Sequence, residues 1–169
     1  MTMIQQDRVS LTGLYSEEIF KLSVKQELIR RTQYPSPVAL MFMSLIFDEA
    51  KLEHAQNMIQ LFAGVLNTSF RISDIPGHYG DDFLILLPGT DGMGCQLAAE
   101  RMIAQLGGTQ NFGDDKKFQF KIHIGITSLS STEETTVDNL IHEAELALRE
   151  AQAAGPLGYK VYSRKLYSR

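Results

Sequence analysis

The segment Ser73-Asp-Ile-Pro-Gly-His-Tyr-Gly-Asp-Asp-Phe-Leu-Ile-Leu-Leu-Pro-Gly-Thr-Asp91 lies in the middle of the chain and sets the architecture that we predict. A short strand is predicted over residues 69–75, and the apolar run at 83–87 predicts a second strand. The residues between them, 76–82, include the Pro, Gly and Asp residues that turns prefer. The segment therefore predicts a β-hairpin at the centre of the fold.

The elements on either side of this hairpin follow from the spacing of apolar residues. The apolar run at 38–47 predicts a strand buried on both faces, and strict alternation at 118–126 predicts a strand with one face in the core. Helical spacing predicts helices at about 16–32, 48–66, 92–106 and 137–154, and a last short strand is predicted at 159–162. Thr135 and Asp138 resemble a capping box for the last helix. This order predicts an α+β fold, an α/β sandwich in which helices flank a mainly antiparallel sheet of about five strands.

Composition and charge exclude several classes of protein. The chain has 169 residues, which predicts a single domain with its core at about 9–163 and a basic tail at 163–169. Cys95 is the one cysteine, so no disulfide can form within the chain, and with no signal peptide visible we expect a cytoplasmic protein. The net charge of -4 argues against nucleic-acid binding, and the longest apolar run is too short for membrane insertion.

Segments spread along the chain resemble those of GGDEF domains, the domains of diguanylate cyclases. They are the turn Leu11-Thr-Gly-Leu-Tyr15, the segment 73–91, the strand Ile124-Gly-Ile-Thr127 and the helix from Ala144 to Gly155. The resemblance covers roughly residues 9–163 and implies the nucleotidyl-cyclase-like GGDEF fold. It also implies the reaction of the active family members, in which a dimer condenses two GTP molecules into cyclic di-GMP with the help of divalent metal ions.

The sequence departs from the family pattern at the positions that would carry this chemistry. Ser44 stands where the resemblance implies the first metal-binding aspartate, and a hydroxyl cannot supply that anionic ligand. The signature is reduced to Gly80-Asp81-Asp82-Phe83, and the other glycine is either missing or replaced by Tyr79. Gln152 and Pro156 replace the lysine and the arginine that would meet the phosphates.

We therefore expect no cyclase activity and no Mg²⁺ cofactor. Gly80, Asp81, Asp82 and Phe83 remain as a vestigial signature, in which the two aspartates are either polar turn residues or a relic of a metal site. The guanine-recognising Asn and Asp of the family cannot be placed, and residues 53–56 are the nearest stretch.

A second site of the family, an inhibitory product site, is marked by an Arg-x-x-Asp motif just before the signature. Arg71-Ile-Ser-Asp74 stands at this place, and Arg101 stands on the following predicted helix where the family has a second arginine. The resemblance implies that cyclic di-GMP binds these residues. Arginine N–H groups can hold a phosphate or a guanine edge, and an aspartate can accept from guanine N–H groups. In the plainer alternative, Arg71 and Asp74 only pair at a strand end, and Arg101 is an ordinary exposed helix residue.

Two functional hypotheses follow from these observations. In the first, the chain is a catalytically inactive GGDEF-like domain that acts in signal transduction as a cyclic di-GMP receptor or regulatory module. In the second, it is a nucleotide-independent scaffold for protein interaction or dimerisation. Both predict a protein partner, a fused signalling domain or a second copy of the chain, and neither predicts nucleic acid or a membrane as a partner.

Overall fold

The computed structural model describes residues 14–47, 62–66, 68–106, 108–111 and 117–163. Its named elements are α1 (Glu17–Gln33), β1 (Val38–Phe47), β2 (Ile75–Tyr79), β3 (Asp82–Pro88), α2 (Gly92–Leu106), β4 (Gly108–Asn111), β5 (Lys117–Leu129), α3 (Val137–Ala154) and β6 (Gly158–Val161). Residues 62–66 are also helical. The rest of the helix predicted at 48–66, the stretch 53–56 and most of the basic tail lie outside the described residues.

The strands form a six-stranded sheet in the order β2-β3-β1-β5-β4, and β6 pairs with β5 beside this path. All pairings are antiparallel except that of β5 with β6. The predicted α+β class and the mainly antiparallel sheet are confirmed. The structure adds β4, which was not among the predicted strands and which pairs with the first residues of β5.

Helices cover both faces of this sheet, and the side chains of β1 pack against the helices on both sides. Leu40 and Phe42 pack towards α1 and α3, whereas Met41 and Met43 pack towards α2 and the helical residues 62–66. Because successive residues of a strand point to opposite faces, a strand buried on both sides is apolar throughout. The prediction is thus confirmed for residues 38–44, whereas Ile46 near the end of the strand is 50% exposed. We call the two sides the α1–α3 face and the α2 face.

Helix ends follow the capping residues of the sequence. Ser16 Oγ accepts a hydrogen bond from Ile19 N at the start of α1. Thr136, and not Thr135 as the predicted capping box requires, caps α3 by accepting from Asn139 N. No helix in the described ranges is long and apolar enough to cross a membrane.

The first strand of the hairpin differs from its prediction. β2 occupies 75–79, so the strand predicted at 69–75 is wrong. The predicted hairpin is present, but its turn is limited to Gly80 and Asp81 instead of 76–82. Pro76 and Gly77, which favour turns, lie inside the strand. β2 is an edge strand, where a proline that lacks an N–H does not break a ladder.

Contacts from α1 and from the segment before it explain why proline and glycine fit in β2. Tyr15 lies along the outer edge of β2, where its N–H donates to Pro76 O and its carbonyl accepts from His78 N. A Cβ at Gly77 would lie 2.7 Å from Phe20 Cδ2, so only glycine lets α1 pack this closely. Tertiary packing therefore overrides the local turn preference.

Candidate functional site

The vestigial signature forms the tip of the β2–β3 hairpin. Tyr79 pairs with Asp82 across the two strands, which leaves Gly80 and Asp81 as a two-residue loop. Gly80 has a φ of 58°, a left-handed conformation that glycine adopts without strain. Phe83 is buried, and its ring centroid lies 4.4 Å from that of Phe62, which anchors the hairpin in the core.

Tyr79 fills the side of the hairpin that faces α1. Its ring lies edge-on to Phe42, with centroids 5.2 Å apart, and Lys21 Nζ lies 5.3 Å from its centroid. A glycine at this position would leave that space open to a ligand. The tyrosine therefore obstructs close approach of a nucleotide to the hairpin backbone from this side.

Asp82 points into a half-buried site beside Ser44, whose hydroxyl donates to its carboxylate. Burial raises the pKa of Asp82 above its ordinary value, and the charges of Asp81 and Glu145 raise it further. The hydrogen bond from Ser44 lowers the pKa and only partly offsets this rise. Asp82 thus has a hydroxyl at the position where the resemblance implies a metal-binding aspartate.

The residues around Asp82 do not fit the divalent ions that the resemblance implies. In the part of the chain that the structure describes, no three His, Cys, Asp or Glu side chains are placed to hold one metal ion. Glu145 pairs with Arg149, with 2.7 Å between Oε1 and Nη2. Gln152 and Pro156 are exposed at the end of α3 and supply no cation for a phosphate.

We predict that Asp82→Asn stabilises the protein at neutral pH. The asparagine amide would keep an oxygen acceptor for Ser44 but would not carry the charge that burial disfavours. An acid whose pKa is raised by folding favours the folded state when protonated, so its stability falls as pH rises through the folded pKa. We expect a Tm about 1–3 °C higher than wild type at pH 7. The difference should shrink as pH falls towards the ordinary pKa of 3.8.

Thermal unfolding of both proteins between pH 4 and pH 8 measures this effect. Glu134→Gln is the matched control, because it removes the same charge from an exposed side chain. A difference between Asp82→Asn and wild type that does not change with pH would contradict the assignment.

The Arg-x-x-Asp motif forms a closed turn at the entry to β2. Asp74 N donates to Arg71 O at 3.0 Å, and Asp74 Oδ2 accepts from Arg71 N at 2.9 Å. Asp74 Oδ1 lies 3.3 Å from Arg71 Nη2, and the Asp74 side chain is only 3% exposed. In this geometry the Asp74 carboxylate faces inward and holds Arg71, so it is not available to accept from a guanine as the sequence suggested.

The Arg71 guanidinium is held in place through one of its nitrogens. Nη2 also donates to Pro88 O at 2.9 Å, at the last residue of β3, and to Thr90 Oγ1 at 2.6 Å, in the loop that follows. The side chain is nevertheless 58% exposed. Within the described residues, Nε and Nη1 have no partner, so three N–H donors remain for a ligand. Sequence reasoning missed Thr90, because the loop at 88–91 carries no pattern that points to an arginine.

Arg101 lies on the neighbouring helix without touching Arg71 or Asp74. It is exposed on α2 and, among the described residues, has no hydrogen bond or ion pair. Gln105, one turn further along, accepts from Ser69 Oγ at 2.8 Å. Because residues four apart share a helix face, Arg101 lies on the side of α2 that faces the segment before Arg71. The structure thus joins Arg71 to Asp74 and places Arg101 on the adjacent surface.

Cys95 lies beneath this site and is a buried core residue. Burial raises the pKa of its thiol to about 12, and the charge of Asp74 adds to the rise. A thiol of this kind carries almost no thiolate at neutral pH. Cys95 therefore packs in the core of the α2 face as a small apolar residue.

Comparison with known proteins places this geometry in a family context. The model of the family described as diguanylate cyclase, GGDEF domain, matches residues 7–156. No curated protein sequence matches the chain.

Solved structures with the same fold include GGDEF domains from two bacteria. That of YfiN (TpbB) from Pseudomonas aeruginosa has a TM-score of 0.78 at 20% identity, covering 95% of this chain and 99% of that chain. That of DgcB from Caulobacter crescentus, solved with c-di-GMP, has a TM-score of 0.80 at 13% identity, covering 96% and 97%. That of FimX from P. aeruginosa has a TM-score of 0.75 at 17% identity, covering 92% and 98%.

Proposed function

The chain belongs to the GGDEF domain family of diguanylate cyclases, and from this we propose that it is a catalytically inactive member that binds cyclic di-GMP. The proposed site comprises Arg71, Asp74 and Arg101. Arg71 and Arg101 contact the ligand, and Asp74 positions Arg71. Binding regulates a protein partner, a fused signalling domain or a second copy of the chain.

Loss of activity is supported by the hairpin and the residues around it. Tyr79 occupies the space beside the hairpin backbone, and Ser44 offers Asp82 a hydroxyl. Removing one charge or ligand from a phosphoryl-transfer site typically costs orders of magnitude in rate. Several such losses at one site leave no basis for turnover, and no metal cofactor is needed for the proposed role.

The observation that carries the binding proposal is the state of Arg71. Nη2 is fixed by Asp74, Pro88 and Thr90, while the N–H groups of Nε and Nη1 remain available to a ligand. A guanidinium already held in one conformation loses less entropy when it binds an anion. A diester of two guanosines offers phosphates and guanine O6 and N7 as acceptors for such donors.

Calorimetric titration with cyclic di-GMP tests the proposal, and GTP with Mg²⁺ provides the control. We expect micromolar or tighter binding of cyclic di-GMP, and no cyclic product from GTP after prolonged incubation. Product formation would contradict the proposed inactivity. Absence of heat with cyclic di-GMP would contradict the receptor role.

A nucleotide-independent scaffold is the second candidate, and a groove on the other side of the molecule favours it. The groove has a volume of about 680 Å³ and lies between α1 and the segment that precedes α3. Leu28, Ile29 and Val137 contribute apolar surface to it, and Ile29 is 59% exposed. Partner binding that is unaffected by loss of Arg71 would favour this function.

A further inference from the structure

An exposed leucine lies about one helical turn before Arg101 of the proposed site. Leu97 lies on α2 and is 54% exposed. Single exposed apolar residues are common on protein surfaces and need no function. The position of Leu97 relative to Arg71 and Arg101 distinguishes it from an ordinary exposed residue.

Arg71 is connected to the part of α2 that carries Leu97 by contacts of Thr90 and Gly94. Arg71 Nη2 donates to Thr90 Oγ1 at 2.6 Å. A Cβ on Gly94 would lie 2.9 Å from Thr90 Cγ2, so Thr90 packs directly against the helix at Gly94. Leu97 follows Gly94 by three residues, and residues three apart are neighbours on a helix surface.

Helix spacing also places Leu97 next to Arg101. These residues are four apart on α2, which again makes them neighbours on the helix surface. From Gly94 to Arg101 the helix rises about 10 Å. Leu97 and Ala98 both lie between Gly94 and Arg101 on the helix, but Ala98 is buried and Leu97 is exposed. Leu97 is therefore the side chain that a ligand contacting both arginines would meet.

We infer that Leu97 is the apolar floor of the ligand site and contacts a guanine base of cyclic di-GMP. This inference rests on the proposed function. Binding sites for small molecules combine apolar surface with a few polar groups that fix orientation. Arg71 and Arg101 supply the polar groups here, and Leu97 supplies the apolar surface between them.

Calorimetry on Leu97→Ala tests the inference, with Leu22→Ala as the matched control. Leu22 is also an exposed leucine inside a helix, at 50%, but it lies on α1. Because α1 packs on the α1–α3 face and α2 packs on the other side of the sheet, Leu22 is far from the proposed site. Alanine is the most favourable residue for an exposed helix position, so both variants should fold.

We expect Leu97→Ala to bind cyclic di-GMP about five- to tenfold more weakly than wild type. Its heat-capacity change of binding should be less negative, because less apolar surface is buried. The dependence of affinity on salt should match that of wild type, since no charge is lost. Leu22→Ala should bind within about twofold of wild type.

Each contrary result has a distinct meaning. If wild type binds and Leu97→Ala binds equally well, the inference about Leu97 fails while the proposed function stands. If wild type does not bind cyclic di-GMP, both fail. If Leu97→Ala leaves affinity unchanged but converts a ligand-free dimer to a monomer in sedimentation, Leu97 belongs to an interface between copies, which also overturns the inference.

Discussion

Arg71→Ala is expected to weaken cyclic di-GMP binding by about thirtyfold to a hundredfold. Hydrogen bonds to charged groups typically contribute about 1.5–3 kcal/mol, and the variant removes all of those that Arg71 can make. The affinity that remains should also depend less on salt, because one cationic contact to the ligand has been lost. Titration calorimetry at low and moderate salt measures both quantities.

The variant must be shown to fold, because Arg71 also has a structural role. It donates to Pro88 O and Thr90 Oγ1, and it covers the buried carboxylate of Asp74. The arginine is 58% exposed, so we expect a stability loss of only about 1 kcal/mol. Thermal unfolding of the variant checks this before binding is compared.

Arg149→Ala provides a matched control for the loss of an exposed arginine. Arg149 lies on α3 and pairs with Glu145, away from the proposed site. Its loss removes the same charge but should leave affinity for cyclic di-GMP unchanged. If Arg149→Ala weakened binding as much as Arg71→Ala, the effect would come from net charge, and the assignment of Arg71 would be wrong.

Local sequence patterns predicted the elements whose character depends on their own residues. The alternation at 118–126 predicted β5, and the apolar run at 38–47 predicted a strand buried on both faces. The helical spacing at about 16–32 predicted α1. In each case the period of the side chains matches the geometry of the element, so no distant contact is needed to interpret it.

Elements that depend on distant contacts were not predictable in this way. β2 contains Pro76 and Gly77, and its assignment requires Tyr15 along its edge and Phe20 against its glycine. The same limit applies to the candidate site. The family resemblance pointed to Arg71, but the inward direction of Asp74 follows from a turn that only the folded chain shows. The affinity of such a site therefore depends on how the turn holds Arg71 as well as on which residues are present.

Gly125→Ala is expected to destabilise the protein more than any other substitution considered for this chain. Gly125 lies in β5, paired with Phe42 on one side and Lys160 on the other. A Cβ at this position would lie 2.9 Å from Leu148 Cα and closer still to Ala144 O and Leu148 N. All three atoms belong to the backbone of α3, so no side-chain rotation can relieve the clash.

The only relief is for α3 to move away from the sheet by about 1 Å, which opens the close-packed core of the α1–α3 face. Such a shift forfeits dispersion contacts along the whole helix. We expect a loss of about 4 kcal/mol or more in the free energy of unfolding and a Tm lower by about 10 °C, measured by urea and thermal unfolding.

Gly64→Ala is the matched control, because a Cβ there meets nothing within 4 Å. Its Tm should stay within about 2 °C of wild type, with any change upward because alanine favours a helix. A Gly125→Ala protein as stable as Gly64→Ala would mean that α3 does not rest on β5 at this glycine.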